Sequence, residues 1–225
     1  LNRDQDNPQL IFESMNSTGK DLSQADLIRN FMLMRLDGET QKRLYEYYWR
    51  PMELEFGQEA YSSYFDSFMR HYLTMKTGNI PKIDEVYEEF KNYFYNTQRD
   101  NEEELKELKK YAAYFCAMAL DKEEDKKLKE AFSDLRELKV DVSYPLLLEL
   151  YNDYKIDILS KNDFIEIIKL IESYVFRRAV CGIPTNSLNK TFASFGKSII
   201  KEKYLESIKA HFNKMTSYRR FPNDE

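Results

Sequence analysis

Ser160-Lys161-Asn162-Asp163-Phe164-Ile165-Glu166-Ile167-Ile168-Lys169-Leu170-Ile171-Glu172-Ser173-Tyr174-Val175 is the stretch on which the reading of the fold turns. Phe164, Ile167, Ile168, Ile171 and Val175 recur at spacings of three and four, the period of one helix face rather than the alternation of a strand. Ser160, with Asp163 three residues on, is a helix start: hydroxyl and carboxylate can take up the first free backbone N–H groups. Nothing interrupts the pattern before Gly182-Ile183-Pro184, so the predicted helix reaches Val180.

The same period continues in both directions. Toward the N-terminus, Tyr144 to Tyr154 is nearly apolar at Leu146, Leu147, Leu148 and Leu150, which predicts a helix at the centre of the core. Before it come a helix through Leu128, Phe132 and Leu135, and another capped by Asn101 and Glu104. Further helices are predicted over about 84–94, 58–76, 39–56 and 23–35, with Pro51 expected to kink or break the third of these. Toward the C-terminus, one helix runs through Leu188, Phe192 and Phe195, another through Tyr204, Ile208 and Phe212. No spacing repeats as a solenoid would. The expectation is all-α: an irregular bundle of about ten helices without significant sheet, forming one helical domain over 1–225 with a possible subdivision into 1–140 and 141–225.

Composition agrees with long helices and narrows the classes of function. Only 6 Gly and 6 Pro punctuate the 225 residues, while aromatic residues are abundant, with 17 Tyr and 15 Phe. No run of about 18 apolar residues exists, so no membrane partner is expected. The first residues, Leu1-Asn2-Arg3-Asp4, lack both Met and a signal peptide and read as a cut inside a longer chain. Cys116 and Cys181 lie in apolar helical contexts and read as buried free thiols of a reducing cytoplasm. Net charge is −5, but Phe176 to Arg220 holds ten Lys or Arg against two Glu, which makes this stretch +8 and the remainder −13. Such asymmetry suits either a nucleic-acid surface or a basic region docked on acidic helices of its own chain.

Catalytic chemistry finds no footing. His71 and His211 have no ligand neighbours at metal-site spacing, and no Cys pair is present, so no metal ligands are assigned. Gly19 and Gly38 stand alone, which excludes a phosphate-cradling Gly-rich loop. Glu88-Glu89 and Glu102-Glu103-Glu104 read as solvated helix faces, and the aromatic stripes as core. No catalytic residue is assigned, and no cofactor is expected on this stretch itself.

Two polar breaks stand out. In Phe12 to Asn30, Asn16 and Gly19 suit a turn of unusual dihedrals, and the loop amides precede a helix N-terminus that can receive an anion. Asn16, Gly19, Lys20, Asp26 and Arg29 are therefore the candidate nucleotide- or domain-contact residues. In Phe176 to Lys190, Arg177 and Arg178 precede a break whose polar residues open another helix. Arg177, Arg178, Asn186 and Lys190 are the candidate DNA-phosphate contacts, since guanidinium forks bind phosphate in bidentate fashion. The alternatives are a capped turn in the first case and arginines bonded to helix-end carbonyls in the second.

These segments also carry a family resemblance. Asp6-Asn7-Pro8-Gln9-Leu10-Ile11-Phe12-Glu13-Ser14-Met15-Asn16-Ser17-Thr18-Gly19, with Leu22-Ser23-Gln24-Ala25-Asp26-Leu27-Ile28-Arg29-Asn30, resembles the signature of GmrSD-type, modification-dependent restriction proteins of bacteria. Phe176 to Lys190 and Tyr218 to Glu225 resemble later motifs of the same family, in the expected order. The resemblance implies a longer protein in which an N-terminal ParB/sulfiredoxin-like domain, with an Asp-Gly-Gln-Gln-Arg motif, uses a nucleoside triphosphate. A helical middle and a C-terminal HNH nuclease with a divalent metal would follow. This sequence has neither the Asp-Gly-Gln-Gln-Arg motif nor a His-rich cluster, so the family's catalytic residues carry over to no position here. The implied partners are DNA through the whole protein, its own N- and C-terminal domains, and a possible homodimer, in the cytoplasm.

Overall fold

The computed structural model describes residues 22–34 and 36–223. Among them there is no strand, and the helices are α1 (Gln24–Leu33), α2 (Gly38–Leu44), α3 (Arg50–Phe56), α4 (Gln58–Thr77), α5 (Val86–Thr97) and α6 (Asn101–Ala119). They continue with α7 (Lys126–Glu137), α8 (Tyr144–Lys155), α9 (Lys161–Val180), α10 (Leu188–Phe195) and α11 (Tyr204–Lys214). The all-α expectation holds. The chain forms two compact units, one from Leu1–Leu73 with Pro81–Ala113, the other from Thr74–Ile80 with Tyr114–Glu225.

In the first unit, α2 and α3 are joined without a break by a π-helical turn over Tyr45–Trp49. Pro51 is the cause. Lacking an N–H, it cannot bond the Tyr47 carbonyl one turn back, so the backbone widens, and the Arg50 N–H bonds Tyr45 O instead. The orphaned Tyr47 carbonyl accepts from Lys109 Nζ at 2.9 Å. The predicted kink is thus a change of helical winding. It turns Trp49 fully inward, where its Nε1 donates to Tyr61 OH at 3.0 Å, and leaves the Tyr47 ring exposed.

Phe31 of α1 meets Tyr87, Phe90, Phe94 and Tyr95 edge-on, with ring centroids 5.6–6.2 Å apart, which fixes α1 against α5. Glu104, read from sequence as solvent-facing, is fully buried and accepts from Tyr72 OH at 2.8 Å. The reason is register: position 104 lies on the same helix face as Leu108, Phe115 and the rest of the inward stripe of α6.

His71 on α4 is 3% exposed, and burial, with the Arg70 charge second, pushes its pKa down to about 3. The folded unit therefore holds it neutral, while the unfolded chain takes up a proton below about pH 6.5. Stability from this residue is complete above that pH and is lost as pH falls toward 3. We expect the unfolding free energy to fall by about 2 kcal/mol between pH 7 and 5 from this group. Urea titrations at the two pH values should show a correspondingly shallower pH slope in His71→Gln.

In the second unit α8 is central: Leu146, Leu147, Leu148 and Leu150 are all buried, each contributing about 1.5–3 kcal/mol by leaving water. Against it and α7 packs α9, whose Phe164 joins Phe132, Tyr151 and Tyr154 in one aromatic cluster. Tyr174, Phe192, Phe212 and Phe221 form a second cluster at the other end of α9. Ser160 caps α9 as read from sequence, its hydroxyl accepting from the Asp163 N–H at 3.1 Å.

Candidate functional site

Of the first polar segment, Asn16, Gly19 and Lys20 lie outside the described residues. The helix start that follows is described, and it already holds an anion of its own. Asp66 of α4 accepts from the Gln24 N–H at 3.2 Å and the Ala25 N–H at 2.8 Å, while Ser23 Oγ accepts from the Asp26 N–H. The first-turn amides of α1 are therefore spent on an internal carboxylate, which is why no external anion is needed there. Arg29 is likewise engaged, 3.0 Å from Asp26 and 3.3 Å from Glu53, with Tyr45 OH donating to the same Glu53. Asp26 and Glu53 brace Arg29, which with Gln41 and Lys42 lines a cavity of about 300 Å3.

The second segment is organised around the end of α9. Gly182, with φ +64°, ends the helix as only glycine does without strain: its N–H bonds Ala179 O and the Ile183 N–H reaches back to Arg178 O at 2.9 Å. The two arginines then part company. Successive residues on a helix point about 100° apart, and Arg178 shares the inward face of Ile171 and Tyr174 while Arg177 does not.

Arg178 is 1% exposed. Its Nη1 donates to Tyr218 O at 2.5 Å, and its Nη2 to Pro184 O at 2.7 Å and Ser187 Oγ at 3.1 Å. The guanidinium also lies 5.2 Å from the centre of the Tyr174 ring, whose hydroxyl donates to Arg219 O at 2.9 Å. No carboxylate serves as counter-ion among these contacts; carbonyl oxygens of the loop after α9 and of the 217–219 turn, with an aromatic face, surround the charge instead. Burial withdraws Arg178 from the phosphate-contact set: it bonds carbonyls, though those of Pro184 and Tyr218 in a loop and a turn rather than those of a helix end. Tyr174 and the carbonyls of Pro184 and Tyr218 were not singled out from sequence, although Tyr174 stands one turn before Arg178.

Arg177 is half-buried, its Nε donating to Ser173 Oγ at 3.1 Å. It lines a cleft of about 710 Å3 whose apolar wall is Phe176 and Val180, 55% and 72% exposed, and whose rim includes Asn223. Cys181 lies in the same cleft and is exposed, which corrects the expectation of a buried thiol: it is the cap residue just past the end of α9, beyond the helix's buried stripe. Cys116 is buried as expected. Asn186 and Lys190 are both exposed on the turn and helix that follow.

The basic stretch is partly consumed at home. Lys201 sits 2.8 Å from buried Asp153 and Lys209 2.5 Å from Glu166, in addition to the buried Arg178. Lys190, Lys203 and Lys214 are exposed and have no ion pair among the described residues. No group of three or more His, Cys, Asp or Glu that could hold a metal ion occurs among the described residues.

Comparison with protein-family models, curated proteins and solved structures gives no match.

Proposed function

We propose that this chain is the helical scaffold region of a bacterial, nucleotide-dependent restriction protein that targets DNA, of the GmrSD type its motifs resemble. The observation that carries the reading is the meeting of two of the resembling segments. Arg178, within Phe176 to Lys190, bonds Pro184 O in its own segment and Tyr218 O, 40 positions on, in Tyr218 to Asn223. In this reading the motif residues hold the path of the 217–223 segment against α9, while the whole protein uses a nucleoside triphosphate and a divalent metal elsewhere. Arg177, half-buried, and Asn186 and Lys190, exposed, are the motif residues that would touch a DNA backbone in this reading.

The test is titration of fluorescent duplex DNA into the 225-residue chain over a range of salt. Wild type should bind weakly, with affinity falling steeply as salt rises, and Arg177→Ala with Lys190→Ala should lower the salt slope by about 2. Affinity and slope untouched by the double substitution would remove the nucleic-acid role. A second reading, a docking or dimerisation module without DNA contact, draws support from the exposed Phe176 and Val180 beside Arg177. A dimeric mass in solution together with no DNA binding would favour it.

A further inference from the structure

Residues 217–223 lie against α9 as a strap. Arg178 Nη1 donates to Tyr218 O, and Tyr174 OH donates to Arg219 O at 2.9 Å. The Phe221 ring packs against Tyr174 and Phe212, with centroids 5.5 and 5.4 Å away. Pro222 behind it is buried, while Tyr218 and Arg220 are exposed. The strap thus holds its seat through two main-chain carbonyls and one ring, contacts that the same segment of another copy would make equally well.

The link into the strap is short and strained. α11 ends at Lys214, and only Met215 and Thr216 separate it from Ser217, which holds φ +56°. A residue other than glycine enters that left-handed region at a cost. At Asp121, Lys139 and Asp157 helix closure offsets the cost: the next residue's N–H bonds back into the helix, to Cys116 O, Leu135 O and Asp153 O. Ser217 closes no helix; its turn sends the chain back onto its own seat. A short, strained hinge favours exchange of the segment beyond it, because an extended hinge releases the strain while each strap fills the other copy's seat.

We propose that two copies of the chain exchange residues 217–223, with Ser217 as the hinge, so that Arg178 of each holds the Tyr218 carbonyl of the other. The closed form already displays the chemistry that selects this occupant: two carbonyls within reach of Arg178 and Tyr174, and an aromatic ring followed by a proline. The exchange rests on the seat of the strap and not on the DNA reading. It also differs from a dimer through the exposed Phe176 and Val180, which would leave each strap on its own copy.

The experiment is sedimentation velocity on the whole chain at about 100 μM, after long equilibration because a strap must open before it can exchange. Wild type should be mostly monomer, with a dimer fraction that rises with concentration. Ser217→Pro sets φ at about −65°, which the closed turn excludes, and Thr216, already extended at φ −123° and ψ 174°, accepts a following proline. It should raise the dimerisation constant about tenfold or more. Ser217→Gly, which takes the left-handed turn without strain, should lower it by about the same factor, since each dimer opens two hinges.

Mixing Arg178→Ala with Phe221→Ala, each carrying its own fluorophore, tests the exchange directly. The first supplies an intact strap and the second an intact seat, so their heterodimer holds one complete contact that neither homodimer has. Heterodimer should form about tenfold more readily than either homodimer, and Arg178→Lys replaces Arg178→Ala if the latter does not fold. Phe176→Asp should leave all of this unchanged. The proposal is overturned if Ser217→Pro stays monomeric at this concentration, or if the mixture yields no more heterodimer than the variants yield homodimer. A dimer lost on Phe176→Asp and indifferent to both Ser217 substitutions overturns it too, and assigns the contact to the outer face of α9. Neither result bears on salt-dependent DNA binding, so the two readings fail separately.

Discussion

Arg178→Ala should lower the unfolding free energy by about 3–5 kcal/mol, the cost of a cavity together with buried carbonyls left without donors. The side chain is almost wholly enclosed and supplies donors to Tyr218 O, Pro184 O and Ser187 Oγ at once. Against the usual 5–15 kcal/mol of a folded domain, such a loss is a large fraction of the total. Urea unfolding would measure it, and amide exchange would locate it: protection should fall in 217–222, where Tyr218 O and Arg219 O are bound. Arg178→Lys should recover less than half, because one ammonium cannot span two carbonyls as a planar fork does. A loss below about 1 kcal/mol, with weaker DNA binding instead, would return Arg178 to the phosphate-contact role that sequence suggested.

Asp153→Ala should cost about 2–4 kcal/mol, the price of stranding a buried hydroxyl together with a charge-assisted bond. Asp153 is almost fully buried on α8; its Oδ2 accepts from Tyr204 OH at 2.6 Å and lies 2.8 Å from Lys201 Nζ. This joins the start of α11 to the central helix. Burial first, then the bond to Asp153, pushes the Tyr204 hydroxyl far up, so it stays a donor throughout the working pH range. Tyr204→Phe combined with Asp153→Ala should show coupling of about 1 kcal/mol or more in a double-mutant cycle. Strict additivity of the two losses would mean that the bond contributes nothing to the docking of α11.

Both effects turn on residues that the sequence offers in a different light. Arg177 and Arg178 look alike as a pair, yet helix phase separates them: position 178 continues the inward stripe of Ile171 and Tyr174. Glu104 could have been placed by the same rule, since it stands one turn before Leu108. Phase was legible in both cases; the partners were not. Nothing local to Arg178 points to the carbonyl of Tyr218 forty residues on, and nothing local to α1 points to Asp66 as the carboxylate on its first amides. Asp26 and Arg29 were visible as polar positions on a helix, but their engagement with Glu53 depends on how the chain returns.

Glu149 drew no notice in sequence because it belongs to no motif or run of charge, and Lys197 counted only as one cation of the basic stretch. They come to line one cleft, together with Lys76, through three segments remote in sequence. Periodicity, caps and the Gly–Pro breaks were enough to assign the helices and their inward faces, because those depend on backbone hydrogen bonds and on burial over three or four residues. Which charges are buried, which amides are already occupied and where a cleft opens depend on contacts between residues remote along the chain. Those contacts, not local preference, made Arg178 a clamp, spent the α1 amides on Asp66 and left Glu149 and Lys197 facing an open cavity.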